Sequence, residues 1–330
     1  MRHTQLTRRE LLHRSAAFGC LSAFPLALVG GKAFPVDYAP AFASPGQAAA
    51  KSAAVVNPLK PPAKGGIPAA FVISEGAVLI DFAGPWEVFE NVMLPSAAGM
   101  SMEDQMPFTP YLVAEKLEPV RASGGMKVVP GYTFRNAPQP KVIVIPAQGG
   151  ASDAMLSWIR EQSKQADVTM SVCTGAFVLA KTGLLNGKAA TTHHGSYVEM
   201  ALQNPEIHVK PGYRFVEDGN IATAGGLTSG IDLALRVVER YYGRAAAEEA
   251  VYQLEYQGQG WVDASGASNT AYAKARGGMT CPICGMAVVE GMSPEFEYKG
   301  KKYYFCMESH RALFKSAPEK VLRMMAGEES

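Results

Sequence analysis

Short apolar runs without polar interruption recur through the middle of the chain, separated by stretches of helical period. Ala69–Ser74, Thr109–Ala114, Val142–Pro146, Val168–Val172 and Ile221–Ala224 are rich in β-branched residues and read as strands. Asp81–Val92, Ser152–Gln165, Gly175–Thr182, Leu227–Tyr242 and Ala245–Tyr256 read as helices. Such alternation predicts an α/β fold over residues 67–256, with a doubly wound, mostly parallel sheet covered by helices on both faces. The pattern lapses at 44–66, rich in Ala, Pro and Lys, and at 257–278, rich in Gly, Ser and Ala, and both read as linkers. Residues 279–330 resume as a small α+β module, with a hairpin over 296–305 that turns at Lys299-Gly300-Lys301.

The N-terminus has a layout of its own. Thr7-Arg8-Arg9-Glu10-Leu11-Leu12-His13 precedes an apolar run from about Ala16 to Gly31, and Ala41-Phe42-Ala43 offers a small-x-small cleavage site. This resembles a twin-arginine export signal over residues 1–43 and implies a periplasmic or extracellular location. Gly19, Ser22 and Pro25 interrupt the run, which is too short to make a stable membrane span. Most of it follows Cys20, which argues against lipid attachment there. The twin-arginine route carries folded proteins, so the resemblance implies a metal or cofactor installed before export.

Composition narrows the function classes. Lys and Arg number 31 against 30 Asp and Glu, a net +1, so no overall field draws nucleic acid or an anionic membrane, and neither is expected as a partner. Five cysteines in 330 residues make no disulfide scaffold. Their placement is informative: Cys173 stands alone, whereas Cys281, Cys284 and Cys306 gather near His310.

Val168-Thr169-Met170-Ser171-Val172 runs into Cys173-Thr174-Gly175-Ala176-Phe177, and a helix follows at once. A strand, sharp turn and helix in this order make a nucleophile elbow, which lifts one side chain out at the carboxyl end of a sheet. A helix N-terminus there is expected to lower the thiol pKa. The Thr174 N–H is placed for an oxyanion, with a second donor from Gly149 or Gly150, which end another strand. Position alone leaves a buried structural cysteine as the alternative.

Three blocks carry a resemblance. They are Ser171–Ala180 (Ser-Val-Cys-Thr-Gly-Ala-Phe-Val-Leu-Ala), continued by Gly183–His193 (Gly-Leu-Leu-Asn-Gly-Lys-Ala-Ala-Thr-Thr-His); Leu79–Phe89 (Leu-Ile-Asp-Phe-Ala-Gly-Pro-Trp-Glu-Val-Phe); and Ala224–Leu235 (Ala-Gly-Gly-Leu-Thr-Ser-Gly-Ile-Asp-Leu-Ala-Leu). Together they resemble the ThiJ/PfpI superfamily, closest to its isonitrile-hydratase-like branch. The resemblance implies a flavodoxin-like fold, Cys173 as nucleophile, a small-molecule substrate and a homodimer. Asp81 occupies the superfamily's acidic position, with helix capping as its structural alternative. His193 matches a histidine that the branch often carries and is a further catalytic candidate, with a structural role as the alternative. Glu75 and Asp232 read as structural. A glutaminase would need a downstream His-x-Glu pair, but His208 is followed by Val209-Lys210; the peptidase branch has His directly after the cysteine, where Thr174 stands; and the regulatory relatives append a basic recognition helix that is not seen.

Cys281-Pro282-Ile283-Cys284 places two thiols three residues apart, and Cys306 and His310 are spaced i and i+4 as on one helix face. Four N/S ligands suit a closed tetrahedral metal site. The block resembles the YHS/TRASH family of small metal-binding domains, except that His310 stands where the family usually has Cys. A divalent metal is therefore expected. Zinc fits Cys3His best, while Met279, Met286 and Met307 keep copper(I) open. No cofactor is expected in the α/β domain. The expected chemistry is attack by Cys173 on a small electrophilic carbon, isonitrile hydration first and a glyoxalase-like reaction next. The rival from another class is a non-enzymatic metal or redox stress protein with an oxidisable Cys173.

Overall fold

Val142–Ile145 is wholly apolar, and Val168–Val172, with only small Thr169 and Ser171 between its apolar residues, is likewise buried throughout, as strands covered on both faces are. The computed structural model sets both near the centre of a seven-stranded sheet. The structure describes residues 57–63, 65–94, 105–262 and 279–326. The proposed signal of 1–43 lies outside them.

In chain order the strands are β1 (Ile67–Val72), β2 (Phe108–Ala114), a ribbon of β3 (Val120–Arg121) with β4 (Lys127–Val128), β5 (Tyr132–Thr133), β6 (Val142–Ile145), β7 (Val168–Val172), a short pair β8 (Ala189–Ala190) with β9 (His208–Val209), β10 (Phe215–Asp218) and β11 (Ile221–Ala224). The main sheet has the order β10-β11-β7-β6-β1-β2-β5 and is parallel except for β10, which runs antiparallel to β11 with Phe215 opposite Ala224. Helices α1 (Leu79–Glu90), α2 (Asp153–Gln162), α3 (Gly175–Lys181), α4 (Tyr197–Gln203), α5 (Ser229–Tyr242) and α6 (Arg244–Gln253) complete this part. The sequence pattern passes over β5, β10 and α4. Two residues are too few to show a period, and Glu217 and Asp218 break the apolar run of β10.

Successive strand residues feed opposite cores, as the pleat requires. Ala69 and Phe71 of β1 pack with α1 and α5, while Ala70 and Val72 pack with α2, α3 and α4. Gly84 lets α1 approach α5 closely, because a Cβ there would lie 2.9 Å from Ile231 Cγ1.

Both linkers are shorter than composition implies. Leu59 N donates to Arg240 O at 2.7 Å, which ties the described end of 44–66 to α5. Trp261 is buried in the core with the Arg244 guanidinium 4.7 Å from its ring centre, so 257–262 is docked chain. One large apolar ring outweighs its glycine-rich neighbours.

The C-terminal part pairs β12 (Glu295–Tyr298) with β13 (Lys301–Tyr304) and adds α7 (Glu308–Ser316) and α8 (Pro318–Ala326). Phe314 is its centre, with the rings of Tyr303 and Phe305 at 4.8 and 5.3 Å. Sequence treats this module as standing apart. Instead Cys281, Ile283, Phe305 and Phe314 share one core cluster with Val198, Met200 and Ala201 of α4, and Lys320 Nζ donates to Ala201 O at 3.2 Å. Among the described residues, no helix is long and apolar enough to cross a membrane.

Candidate active site and metal centre

The turn from β7 into α3 puts Cys173 at φ 58°, a left-handed conformation that a side chain adopts only under constraint. Three hydrogen bonds supply the constraint. Cys173 N donates to Ala224 O and Gly225 O at 3.2 and 2.8 Å, and Thr192 Oγ1 donates to Cys173 O at 2.9 Å. Gly175 is required because a Cβ there would lie 2.2 Å from Ile145 O. The elbow is thus built on the carboxyl ends of β6, β7 and β11.

The thiol is not the helix-end thiolate expected from sequence. Burial pushes Cys173 up to about 11, and the Asp81 charge pushes in the same direction. The N–H groups of Thr174 and Leu227 only partly offset this, and α3 is two turns long. At 8% exposure, lost hydration outweighs the helix end.

Asp81 is fully buried in the first turn of α1, whose N-cap position is Val78, so capping is not its role. Its Oδ2 accepts from Ala147 N at 3.1 Å, while Oδ1 accepts no conventional hydrogen bond and the Cys173 thiol lies beside the carboxyl. Burial raises Asp81 to about 7 against the pull of those two donors. Acid and thiol therefore face each other with a proton to share near neutrality.

A cleft of about 230 Å³ opens beside the elbow, lined among others by Gln148, Gly150, Thr174, Phe177, Lys181 and Glu199. Gly149 N is committed to Glu75 O at 2.9 Å, and Gly150, at φ 52°, lines the cleft together with Thr174. Gln148 was missed in the sequence. Its amide is fixed by Ser74 N to Oε1 at 2.6 Å and by Nε2 to Val72 O at 3.2 Å. Its place at the end of β6, directly before Gly149-Gly150, was the available signal. The Leu227 N–H near the thiol had no such signal, since a backbone group is not a motif.

His193 opens a short 3-10 turn, His194–Ser196, and its Nδ1 accepts from Gly195 N at 3.2 Å. Burial, then the neighbouring His194, lowers its pKa. The ring lies against Gly226, where a Cβ would sit 2.6 Å from Cδ2. His193 thus packs on the backbone that faces Cys173. Asp232 pairs with Arg214 and accepts from Tyr256 Oη at 3.0 Å, and Glu75 accepts from Arg121 N at 3.2 Å. Both are structural braces.

The ligand atoms of Cys281, Cys284, Cys306 and His310 all lie within 4.8 Å of one another. Cys284 Sγ is 3.5 Å from Cys306 Sγ, and His310 Nδ1 is 3.2 Å from Cys306 Sγ and 3.6 Å from Cys281 Sγ. Zinc–sulfur bonds of about 2.3 Å in a tetrahedron separate the sulfurs by about 3.8 Å, so these residues fit a metal. The hydrogen bond from Cys284 holds Cys281 below the usual thiol range while pushing Cys284 up, so the pair shares protons. A tight turn brings the first pair together, with Gly285 at φ 72° and its N bonded to Cys281 O at 2.8 Å. Cys306 corrects the sequence reading. It lies in the bend between β13 and α7, so His310 reaches it from the first turn of the helix and not along one face. The four described cysteines are free thiols.

The model of the DJ-1/PfpI family matches residues 68–240, more than half of the chain. The chain belongs to that family. Isonitrile hydratase from Pseudomonas putida is 37% identical over 182 residues, 54% of this chain and 73% of that protein. The HTH-type transcriptional regulator GbdR from Pseudomonas aeruginosa is 27% identical over 41% of this chain, which spans only 38% of the regulator. Among solved structures, a ThiJ/PfpI family protein from Pseudomonas syringae matches with a TM-score of 0.51 and 27% identity, over 59% of this chain and 77% of that one. This DJ-1/PfpI protein therefore has the flavodoxin-like fold, and its family includes both enzymes and regulators.

Proposed function

We propose that this DJ-1/PfpI protein is an exported, cysteine-dependent enzyme that hydrates a small electrophilic carbon of the isonitrile type. The reading rests on one observation: Cys173 is held in a strained elbow with the buried Asp81 carboxyl beside its thiol. The relative named isonitrile hydratase, 37% identical, supports the same chemistry.

In the proposed cycle the Cys173 sulfur bonds to the terminal isonitrile carbon, and the thiol proton, passed through Asp81, goes to that same carbon. The product is a thioimidate. Charge would develop in the cleft that Thr174 and Gly150 line, and their N–H groups are the proposed donors to it. Water then adds to the thioimidate carbon, Asp81 moves its proton, and collapse breaks the C–S bond. An N-substituted formamide leaves and the proton returns to sulfur. His193 packs on the turn beside the thiol and orients that backbone.

The C-terminal part is proposed as a YHS-like domain in which Cys281, Cys284, Cys306 and His310 hold zinc. Bound there, the metal would cross-link the turn, the hairpin and α7. The export reading rests on Arg8-Arg9, and a homodimer is proposed from the family.

The deciding experiment is turnover of a small alkyl isonitrile, followed as formamide by NMR, with methylglyoxal run in parallel. Formamide production supports the reading. Turnover of methylglyoxal alone would replace it with glyoxalase chemistry, and turnover of neither would remove the enzyme reading. For export, replacing Arg8 and Arg9 with Lys should keep the protein in the cytoplasm; undiminished periplasmic protein in fractionation would overturn that route.

A further inference from the structure

Gly195 lies between two sites that the sequence keeps apart. Its backbone N donates to His193 Nδ1, and a Cβ on it would lie 3.3 Å from that nitrogen and 3.6 Å from Cys284 Cβ. On the far side of His193 the ring rests on Gly226. Gly225, one residue earlier, accepts from Cys173 N at 2.8 Å, and Leu227, one residue later, sits at φ 49° with its N–H near the thiol. Cys284 thus neighbours Gly195, whose N–H binds the His193 ring, and that ring rests on the Gly225–Leu227 turn that holds Cys173. A second link runs through α4, since Glu199 lines both the cleft beside the elbow and a second cleft lined by His310, Met307 and Leu313.

We infer that the Cys3His cluster and the nucleophile form one mechanical unit joined at Gly195, with His193 and Gly195 as positioning residues for Cys173. The inference rests on the reading of Cys173 as the working thiol. When the four ligands are drawn onto a metal, Cys284 fixes the Gly195 backbone. That backbone fixes the His193 ring through its N–H, and the ring fixes the Leu227 N–H over sulfur. When the ligands separate, the His193 ring loses that support against the turn, and Cys173 meets a shifted backbone. Close-packed contacts in series carry such a displacement because the interior has no slack to absorb it.

The test uses the full-length protein, reduced, with one equivalent of zinc or stripped by a chelator. The readout is the rate of iodoacetamide alkylation at Cys173, resolved from the other thiols by peptide mass mapping. Stripping should change that rate at least threefold, and zinc should restore it. Gly195→Val keeps every ligand, so it should retain one zinc per chain by elemental analysis while changing the Cys173 rate at least threefold. This arm decides the matter if the stripped protein unfolds. His193→Ala should abolish the response to zinc, whereas His193→Asn, which keeps an acceptor for Gly195 N, should retain part of it. A Cys173 rate that is the same in loaded and stripped wild type, or in loaded Gly195→Val and wild type, overturns the inference. The enzyme reading fails separately: a Cys173→Ser protein that still turns over isonitrile ends that reading and leaves the alkylation result standing.

Discussion

Cysteine does opposite things in the two halves of this molecule. Cys173 is alone, buried and beside an acid, and these surroundings push its pKa up to about 11. Cys281 is also buried, yet hydrogen bonding from Cys284 draws it down from the usual thiol range while Cys284 itself is pushed up. Burial is common to both, so the neighbours decide. A carboxyl that can carry a proton leaves a protonated thiol ready to be activated during reaction. Thiols that share protons among themselves leave a thiolate waiting for a cation.

The contrast is sharpest if each site is broken alone. Cys173→Ser should lower turnover about 10⁴-fold or more while zinc content by elemental analysis stays unchanged. Next comes a stability effect confined to the first site. Asp81 is raised in the folded chain from 3.8 to about 7, so its contribution is fully present below pH 4 and is lost as pH rises through 7. The difference is about 4 kcal/mol, read as a fall in urea midpoint between pH 4 and 8 that Asp81→Asn should flatten. At the second site, Cys281→Ser should weaken zinc binding by more than about 100-fold in a competition titration. His310→Cys should keep it, because a thiolate replaces an imidazole in the same tetrahedron. The smallest effect separates reactivity from catalysis. Asp81→Asn removes the charge that raises Cys173, so alkylation should titrate at lower pH although turnover falls about 100-fold. If both fall together, Asp81 activates the thiol in the resting protein and the contrast drawn above is wrong.

The elements that carry chemistry were legible where local pattern suffices. An apolar strand running into Cys173-Thr174-Gly175 locates the elbow, because Gly175 is needed wherever a helix starts against a neighbouring strand end. The Cys-x-x-Cys turn with Cys306 and His310 names a ligand set that the fold then gathers. What sequence misses depends on distant packing. The direction of the Cys173 shift follows from burial under Asp81, 92 residues away in the chain. Cys306 and His310 fit a helical spacing, but the helix begins only at Glu308, two residues after Cys306. Gln148 and the Leu227 N–H become visible only when β6 and β11 lie on either side of β7. Trp261 hides in a glycine-rich stretch whose composition says linker and whose one large ring says core.

The left-handed backbone at residue 173 also bears on how this chain changes over generations. Glycine is the residue that such a conformation prefers, and a cysteine there forgoes about 1 kcal/mol or more. A single substitution, Cys173→Gly, would relieve that backbone cost and leave no sulfur to offer. Once a lineage no longer needed the reaction, drift would run toward glycine at this position first, while the four ligands of the other site, with no backbone penalty to shed, would persist. Descendants of such a lineage would be recognisable as an intact metal-holding fold with a glycine at the tip of its central turn.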